Sequence, residues 1–451
     1  MLGALTRDGM ALTTELRDAD VVIVNTCGFI EPAKQESIDA ILKANELRET
    51  GRCRALIMAG CMPQRYPNEL QAELPEVDAF VGLNEVPRIT GIVRDILAKV
   101  GQPSRLSHDV ATDRRDACPT TYHSGTARYV LNASAPRLRL TPAHYAYVKI
   151  AEGCNHPCTF CSIPRIRGGH RSRPLADVLA EVRALVADGV KEINLISQDT
   201  TFYGMEGWKV GRMRGWGASQ SSNPPIFQPS ISTLLREIEK LDGDFWVRLL
   251  YTHPAHWTDE LIATMAACRK ACRYVDIPLQ HINDTMLAAM RRETDAKFIR
   301  DLLFRIASGI PGVAIRTAFI VGFPGETEKQ FAELVKFIRE AKFTRLGVFA
   351  YSQEDGTVAA KLPGQVPARV RQQRRGTAMA VQQAVSRELL RKMIGGTMRV
   401  LMDREGEGRS QMDAPDIDGK VFVRGKAKTG EFVNVRITGA TEYDLKGEVT
   451  P

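Results

Sequence analysis

Three cysteines, Cys154, Cys158 and Cys161, stand at CxxxCxxC spacing within eight residues, directly after a short apolar run. Three thiolates so placed can hold three irons of a [4Fe-4S] cluster and leave the fourth iron open to a substrate or cofactor. Zinc is the plainer competitor, because a structural zinc site takes four protein ligands and His156 or His170 is placed to supply the last. Cys27 and Cys61 each close an apolar run, at the carboxyl end of an expected strand, where open α/β sheets put their ligand sites. Their alternative is burial as small hydrophobes. Cys268 and Cys272 lie four apart on a helical pattern beside Ala263, Ala266, Ala267 and Ala271 and read as core thiols, while Cys53 and Cys118 read as free thiols.

Gln198, Asp199, Arg248, His281 and Glu326 fall near expected strand ends, where polar groups face a cofactor or an entering substrate. Glu326 has a structural alternative as the cap of a helix beginning near Thr327, and His281 as the partner of a buried loop. Arg248 resists such an explanation, because it lies in a strand with Leu249 and Leu250 and burying a lone charge is costly. Gln198 and Arg248 therefore read as cofactor or substrate contacts. Gly322 and Gly325 permit close approach of backbone to a nucleoside, or simply form a turn. Glu152 and Asn155 read as shaping the cysteine loop.

The elements that must position these groups follow from periodicity. Residues 20–27 and 55–61 are buried-strand runs with a helical pattern at 32–47 between them, and a third strand at 77–82 feeds a helix from 85 to 100. Residues 101–143 are rich in Arg, Asp, Ser, Thr and Pro and read as a long connection containing a domain boundary. From Tyr145 onward, strands at 146–151, 191–196, 245–250, 273–277, 313–321 and 343–350 each lead to a helix or a long connection. That rhythm predicts a partial or complete parallel barrel with its chemistry at the carboxyl ends, the alternative being a doubly wound sheet. Residues 204–230, with Gly, Ser, Pro and two tryptophans, read as a flexible excursion. After Pro367 a basic helical stretch leads to short β runs at 397–402, 420–423, 432–438 and 445–449, enough for a small closed barrel or a lid on the larger one.

At 451 residues, with 44% hydrophobic and 25% charged, the chain is too long for one ordinary core and too apolar for wholesale disorder. No run approaches a membrane-spanning helix and no leader precedes the first helix, so a cytoplasmic protein without a membrane partner is expected. A net charge of +8 suits an RNA or ribosome partner and a plain enzyme equally. Nine cysteines in so long a chain do not form the dense pattern of a secreted scaffold, and reduced thiols are expected. Asp413, Asp416, Asp418, Glu442, Asp444 and Glu448 make the tail partly acidic, a surface expected to repel phosphate and attract a basic protein.

The cysteine motif resembles that of the radical S-adenosylmethionine enzymes, and Phe160 resembles the aromatic that this family sets against the adenine. Residues 20–30 with Cys27, the pair Gly60 and Cys61, and Val81 with Gly82 resemble the amino-terminal domain of methylthiotransferases. Arg165, Arg167, Gly168, residues 171–173, 196–200, 248–254, 276–281, 290–292 and 319–327 resemble its central domain. Residues 351–352, 354–357, 408–410, 413–415 and 417–419 resemble the branch that modifies ribosomal protein.

The resemblance implies an α/β chain of three domains and a linker: a flavodoxin-like parallel-sheet domain at 1–105, a linker at 106–143, a radical SAM partial (β/α) barrel at 144–378 and a TRAM-like β-barrel at 379–451. It implies two [4Fe-4S] clusters, one on Cys154, Cys158 and Cys161 and an auxiliary one on Cys27 and Cys61. Phe160, Gln198, Arg248, Gly322 and Glu326 are the expected contacts to S-adenosylmethionine. The implied reaction is methylthiolation of the β-carbon of an aspartate in small-subunit ribosomal protein twelve, with two S-adenosylmethionine molecules, an electron donor and a sulfur donor. The implied partner is that protein or the assembled small subunit, and the enzyme is expected to be a monomer. The sister branch, which modifies an adenosine of transfer RNA, is the runner-up, and a binding module with inactive clusters is the alternative from another class. The family's first cysteine lies in a Cys-Pro-Lys-Asn type loop upstream of Met1, so the auxiliary cluster is expected to lack one thiolate and the sheet its first strand.

Overall fold

A computed structural model describes residues 1–100, 120–123, 125–205 and 229–450, so Cys118, nearly half of the 101–143 connection and nearly all of the 204–230 excursion lie outside the described residues. The chain forms two compact units. The first comprises Met1–Leu138 with Cys161–Gly169 and Glu354–Gly356, and the second Arg139–Phe160, His170–Gln353 and Thr357–Pro451.

The first unit contains α1 (Leu2–Arg7), β1 (Val21–Thr26), α2 (Glu31–Thr50), β2 (Ala55–Gly60), α3 (Cys61–Arg65), α4 (Glu69–Glu73), β3 (Ala79–Val81), α5 (Ile89–Val100) and β4 (Thr120–Tyr122). The four strands pair in parallel in the order β1-β2-β3-β4. Alternate residues of β2 face opposite sides of this sheet. Leu56 and Met58 join Phe80 and the α2 residues Ile41 and Ala44 in one core, whereas Ala55, Ile57 and Ala59 join Ala79 and Val81 in the other. The second core is completed by Ile89, Ile92, Val93 and Ile96, the i, i+3, i+4, i+7 stripe of α5. β4 comes from the segment expected to be a plain connection. Its three half-buried residues are too few for a periodic signal, and pairing with β3 is what makes them a strand.

The second unit opens with β5 (Tyr145–Lys149) and β6 (Ala151–Glu152). The chain then passes through α6 (Ile163–Arg167), which belongs to the first unit, and returns at β7 (Arg171–Ser172). There follow α7 (Leu175–Ala187), β8 (Glu192–Ile196), α8 (Ile231–Glu239), β9 (Trp246–Leu249), α9 (Asp259–Ala267), β10 (Tyr274–Asp276), α10 (Asp284–Ala289), α11 (Ala296–Gly309), β11 (Ala314–Val321), α12 (Glu328–Ala341), β12 (Arg345–Ala350) and α13 (Ala368–Arg391). β5-β8-β9 and β10-β11-β12 are two three-stranded parallel sheets, with a parallel bridge from Val247 to Ala271 between them. Spatial order follows chain order without a reversal, which selects the partial barrel over the doubly wound sheet. Thr258, Asn283, Asp295 and Thr327 cap the helices that follow them, the last in a capping box with Gln330. Thr327, and not Glu326, is therefore the cap of α12. Helix α9 ends at Ala267, so Cys268 and Cys272 do not share a helix, although both are buried.

The chain ends in a closed barrel, β13 (Thr397–Arg404), β14 (Glu407–Ser410), β15 (Val421–Arg424), β16 (Phe432–Ala440) and β17 (Leu445–Val449), in the order β13-β14-β15-β17-β16. Val400, Met402, Val421, Val423, Val435, Ile437 and Leu445 fill it. This barrel seals the amino ends of the parallel strands through buried charge. Glu192, the first residue of β8, takes Arg248 Nε at 2.8 Å and Arg409 at 2.6 Å. Arg248 also donates to the Gln411 carbonyl at 2.7 Å and lies over the ring of Tyr274. Arg345 pairs with Asp413, Tyr274 donates to Asp418 at 2.6 Å, and Tyr145 donates to Asp416 at 2.9 Å.

Two expectations change here. Arg248 is a paired strut at the amino end of the barrel, where Glu192 removes the cost of burying its charge, and this explains it without a cofactor. The acidic tail is largely paired within the chain: Asp413 and Asp418 are buried in ion pairs, and nearer the surface Glu442 pairs with Arg387 and Asp444 caps the Lys420 amide. No helix among the described residues is long and apolar enough to cross a membrane. Replacing Arg248 by alanine should leave Glu192 short of one partner and cost about 3–5 kcal/mol, read as a lower denaturation midpoint, with affinity for S-adenosylmethionine unchanged. A stable R248A that no longer binds S-adenosylmethionine would return the residue to the cofactor.

Candidate metal centres

β6 and β7 pair antiparallel, Ala151 with Ser172 and Glu152 with Arg171, and so draw together the two ends of the cysteine loop. Gly153 leaves β6 at φ 84°, a left-handed conformation that glycine adopts without strain, and its N–H donates to Oε1 of Gln198 at 2.7 Å. Gln198 lies just beyond β8, so the loop is fixed to a strand end. Asn155 Oδ1 accepts the N–H of His170 at 2.9 Å. Thr159 is held three times: its N–H by the Met290 carbonyl, its hydroxyl by the Ala289 carbonyl, and its own carbonyl by the Ala359 N–H. Phe160 packs against Met286, Met290, Phe323, Tyr351 and Ala359. Cys154 is buried and Cys158 half-buried, with Arg292 donating to the Cys158 sulfur at 3.5 Å. Cys161 opens the segment assigned to the first unit and accepts the Ile163 N–H at 3.4 Å.

His156 decides which metal the loop suits. Its Nδ1 lies 2.6 Å from Glu293 and its Nε2 2.8 Å from Asp199. Burial opposes charging of the ring, but the hydrogen bonds to Asp199 and then Glu293 outweigh it and hold the pKa up at about 10. Both nitrogens are thus committed to carboxylates, and His156 cannot complete a zinc site with the cysteines. His170 Nε2 lies 3.3 Å from the Ser172 hydroxyl on β7. The donor set of the loop is three thiols, one fewer than structural zinc requires and the number that leaves one iron of a [4Fe-4S] cluster open.

Glu326 lies beyond β11 and is spent internally. It takes the Gly322 N–H at 2.6 Å, Nε2 of His281 at 3.0 Å and Arg374 of α13 at 2.6 Å. Gly322 has φ 70°, and a Cβ there would overlap Cγ of Arg371, so the glycine admits α13 as well as forming the turn. Gly325, at φ 82°, faces open space. Asp199 also meets His256 Nδ1 at 2.8 Å, and His253 stacks on His156 at 3.7 Å. Sequence pattern alone does not mark His253, His256 and Glu293 as a group; its one signal is two histidines three residues apart just after a barrel strand.

In the first unit, Thr26 of β1 is in register with Gly60 of β2, so Cys27 and Cys61 leave adjacent strand ends side by side. Gly60 turns into α3 at φ 111°, and a Cβ on Gly28 would stand 2.9 Å from the Cys61 carbonyl. Cys27 is exposed and Cys61 buried, and Arg167 of α6 donates to the Cys61 sulfur at 3.1 Å. Buried Glu354 takes Lys34 at 3.3 Å, Arg65 at 3.2 Å and the Glu31 N–H at 2.7 Å, which pins the turn after Cys27. Cys53 sits at the opposite end of β2, bonded to the Ala55 carbonyl at 3.4 Å. The paired thiols and the arginine facing one of them suit an anionic cluster.

Three family models match the chain: the Radical SAM superfamily over residues 148–338, the uncharacterized protein family UPF0004 over 1–82 and the TRAM domain over 394–450. Ribosomal protein uS12 methylthiotransferase RimO of Opitutus terrae is 50% identical over 99% of this chain and 92% of its own length. The proteins of the same description from Akkermansia muciniphila and Geobacter sulfurreducens are 47% and 45% identical over 99% and 100% of the chain, and 95% and 94% of their own lengths. A likeness of this extent, over a parallel-sheet domain, a radical SAM barrel and a TRAM barrel, shows that the chain belongs to the RimO family of radical SAM methylthiotransferases.

Proposed function

We infer that this protein methylthiolates ribosomal protein uS12, at the β-carbon of an aspartate, in the cytoplasm. The observation that carries this reading is the near-full-length likeness to uS12 methylthiotransferases. When bound, two [4Fe-4S] clusters and S-adenosylmethionine supply the carbon-centred radical that removes hydrogen and the methyl and sulfur that replace it. Cys154, Cys158 and Cys161 hold the first cluster, and Cys27 and Cys61 contribute to the auxiliary one. Gln198 serves the cofactor by fixing Gly153, so that the loop presents its thiols in one shape. Phe160 offers the adenine an apolar face. Glu326 and Gly322 keep the β11 loop in place against His281 and α13. The partner is uS12, alone or in the small subunit, and an electron donor and a sulfur donor complete the reaction. The acidity of the tail lends this choice no support, since most of those carboxylates have internal partners.

Replacing Cys154, Cys158 and Cys161 together by alanine should remove about four irons per chain and reduce 5'-deoxyadenosine formation to background; continued formation in the triple variant would sink the assignment. Mass spectrometry of uS12 from cells lacking and then re-expressing this protein should show a methylthio group that depends on it. Unmodified uS12, with the modification found instead on a transfer RNA adenosine, would move the chain to the sister reaction.

A further inference from the structure

His156 stands between two of the loop cysteines and is gripped by groups from three other segments. Asp199 follows β8, Glu293 follows α10, and His253 follows β9 and stacks on the His156 ring with 17° between the planes. Asp199 is itself immobilised, taking the Thr201 and Phe202 N–H groups on Oδ1 at 3.0 and 3.2 Å and His256 on Oδ2. Glu293 is next to Arg292, which donates to the Cys158 sulfur and to the Pro278 carbonyl. His156, Asp199, His253 and His256 bring donor atoms within 4.8 Å of one another, and Nε2 of both His253 and His256 is buried with no partner among the described residues, a grouping that would suit a metal ion. The stacking argues against one. An imidazole binds a metal in its ring plane at about 2.0–2.1 Å, and two nearly parallel planes 3.7 Å apart do not share such a point. Both nitrogens of His156 are in any case occupied. What the geometry requires is a side chain that meets carboxylates on two opposite sides.

We propose that His156 is a positioning residue: its ring, held between Asp199 and Glu293 and stacked on His253, fixes the cysteine loop in its ligating shape. This rests on the reading of Cys154, Cys158 and Cys161 as cluster ligands. Groups that orient metal ligands from behind typically change metal retention about 10–100-fold when lost. The test uses the full chain carrying Cys27→Ala and Cys61→Ala, so that iron reports on the loop alone. His156→Gln should release iron to a chelator at least about 10-fold faster and alter the electron paramagnetic resonance spectrum of the reduced cluster. His156→Arg, which keeps donors on two sides for Asp199 and Glu293, should match the parent in both. Glu293→Gln, which removes one carboxylate and leaves the ring, should fall between and carries the test if His156→Gln does not fold.

Parent-like iron release and spectrum in His156→Gln, or in Glu293→Gln where that variant carries the test, would overturn the proposal. So would His156→Arg as labile as His156→Gln, or one equivalent of zinc in the parent that both His156 variants lose. Failure of the cluster reading has a different signature: a parent without iron, or a parent whose iron survives Cys154→Ala, and either result overturns both.

Discussion

The Asp199 carboxylate, buried at the end of β8, is the junction on which the cysteine loop depends. It accepts from His156 within the loop, from His256 after β9 and from the backbone just beyond itself. A carboxylate so buried would ordinarily be driven toward its neutral form, but His256 and His156 together hold its pKa well below the usual range. One residue from Asp199, Gln198 holds the Gly153 amide. Two consecutive side chains at one strand end therefore fix the loop on either side of Cys154. A loop that must present thiols needs such anchoring, since glycine and small polar residues supply little packing of their own.

The two ends of the parallel barrel solve opposite problems. The carboxyl end stays open to chemistry, and its polar groups are tied to one another in short networks around Asp199 and Glu326. The amino end is closed by the TRAM barrel through Glu192, Arg248, Arg409, Arg345, Asp413 and Asp418. Buried ion pairs add little net stability over apolar packing, but any one left unmatched is expensive. Such a network therefore favours a single docking register. Apolar contacts of Trp246 and Tyr274 with Leu401 and Ala414 supply the packing beside the charges.

The amino-terminal unit is built on a two-sided sheet, and its chemistry again lies at carboxyl ends. Segments distant in sequence take part in it: α6 packs on α3, Arg167 reaches the Cys61 sulfur, and Glu354 gathers Lys34, Arg65 and the Glu31 amide. The turn after Cys27 is thus pinned by a residue more than three hundred positions away. Helix α6, which carries Arg167, starts two residues after Cys161, so the last thiol of the motif and the support of Cys61 are parts of one short stretch of chain.

The order of strands and helices, the stripe of α5, the thiol motif and the placing of Cys27 and Cys61 at strand ends were all legible in the sequence, because each depends on periodicity or spacing within a few residues. The family likeness was legible for the same reason, being carried by short motifs. Partners were not. Arg248 looked functional because its counterion Glu192 is 56 positions away, and the tail looked like an acidic surface because Arg345 and Arg316 lie in other strands. β4 and β14 were missed because three or four residues carry no period and pairing alone defines them. His156 reads locally as a zinc ligand, whereas in the fold Asp199 and Glu293 occupy both its nitrogens. Local pattern determines which residues are buried or turned; which charge meets which is a long-range choice, and only the folded chain makes it.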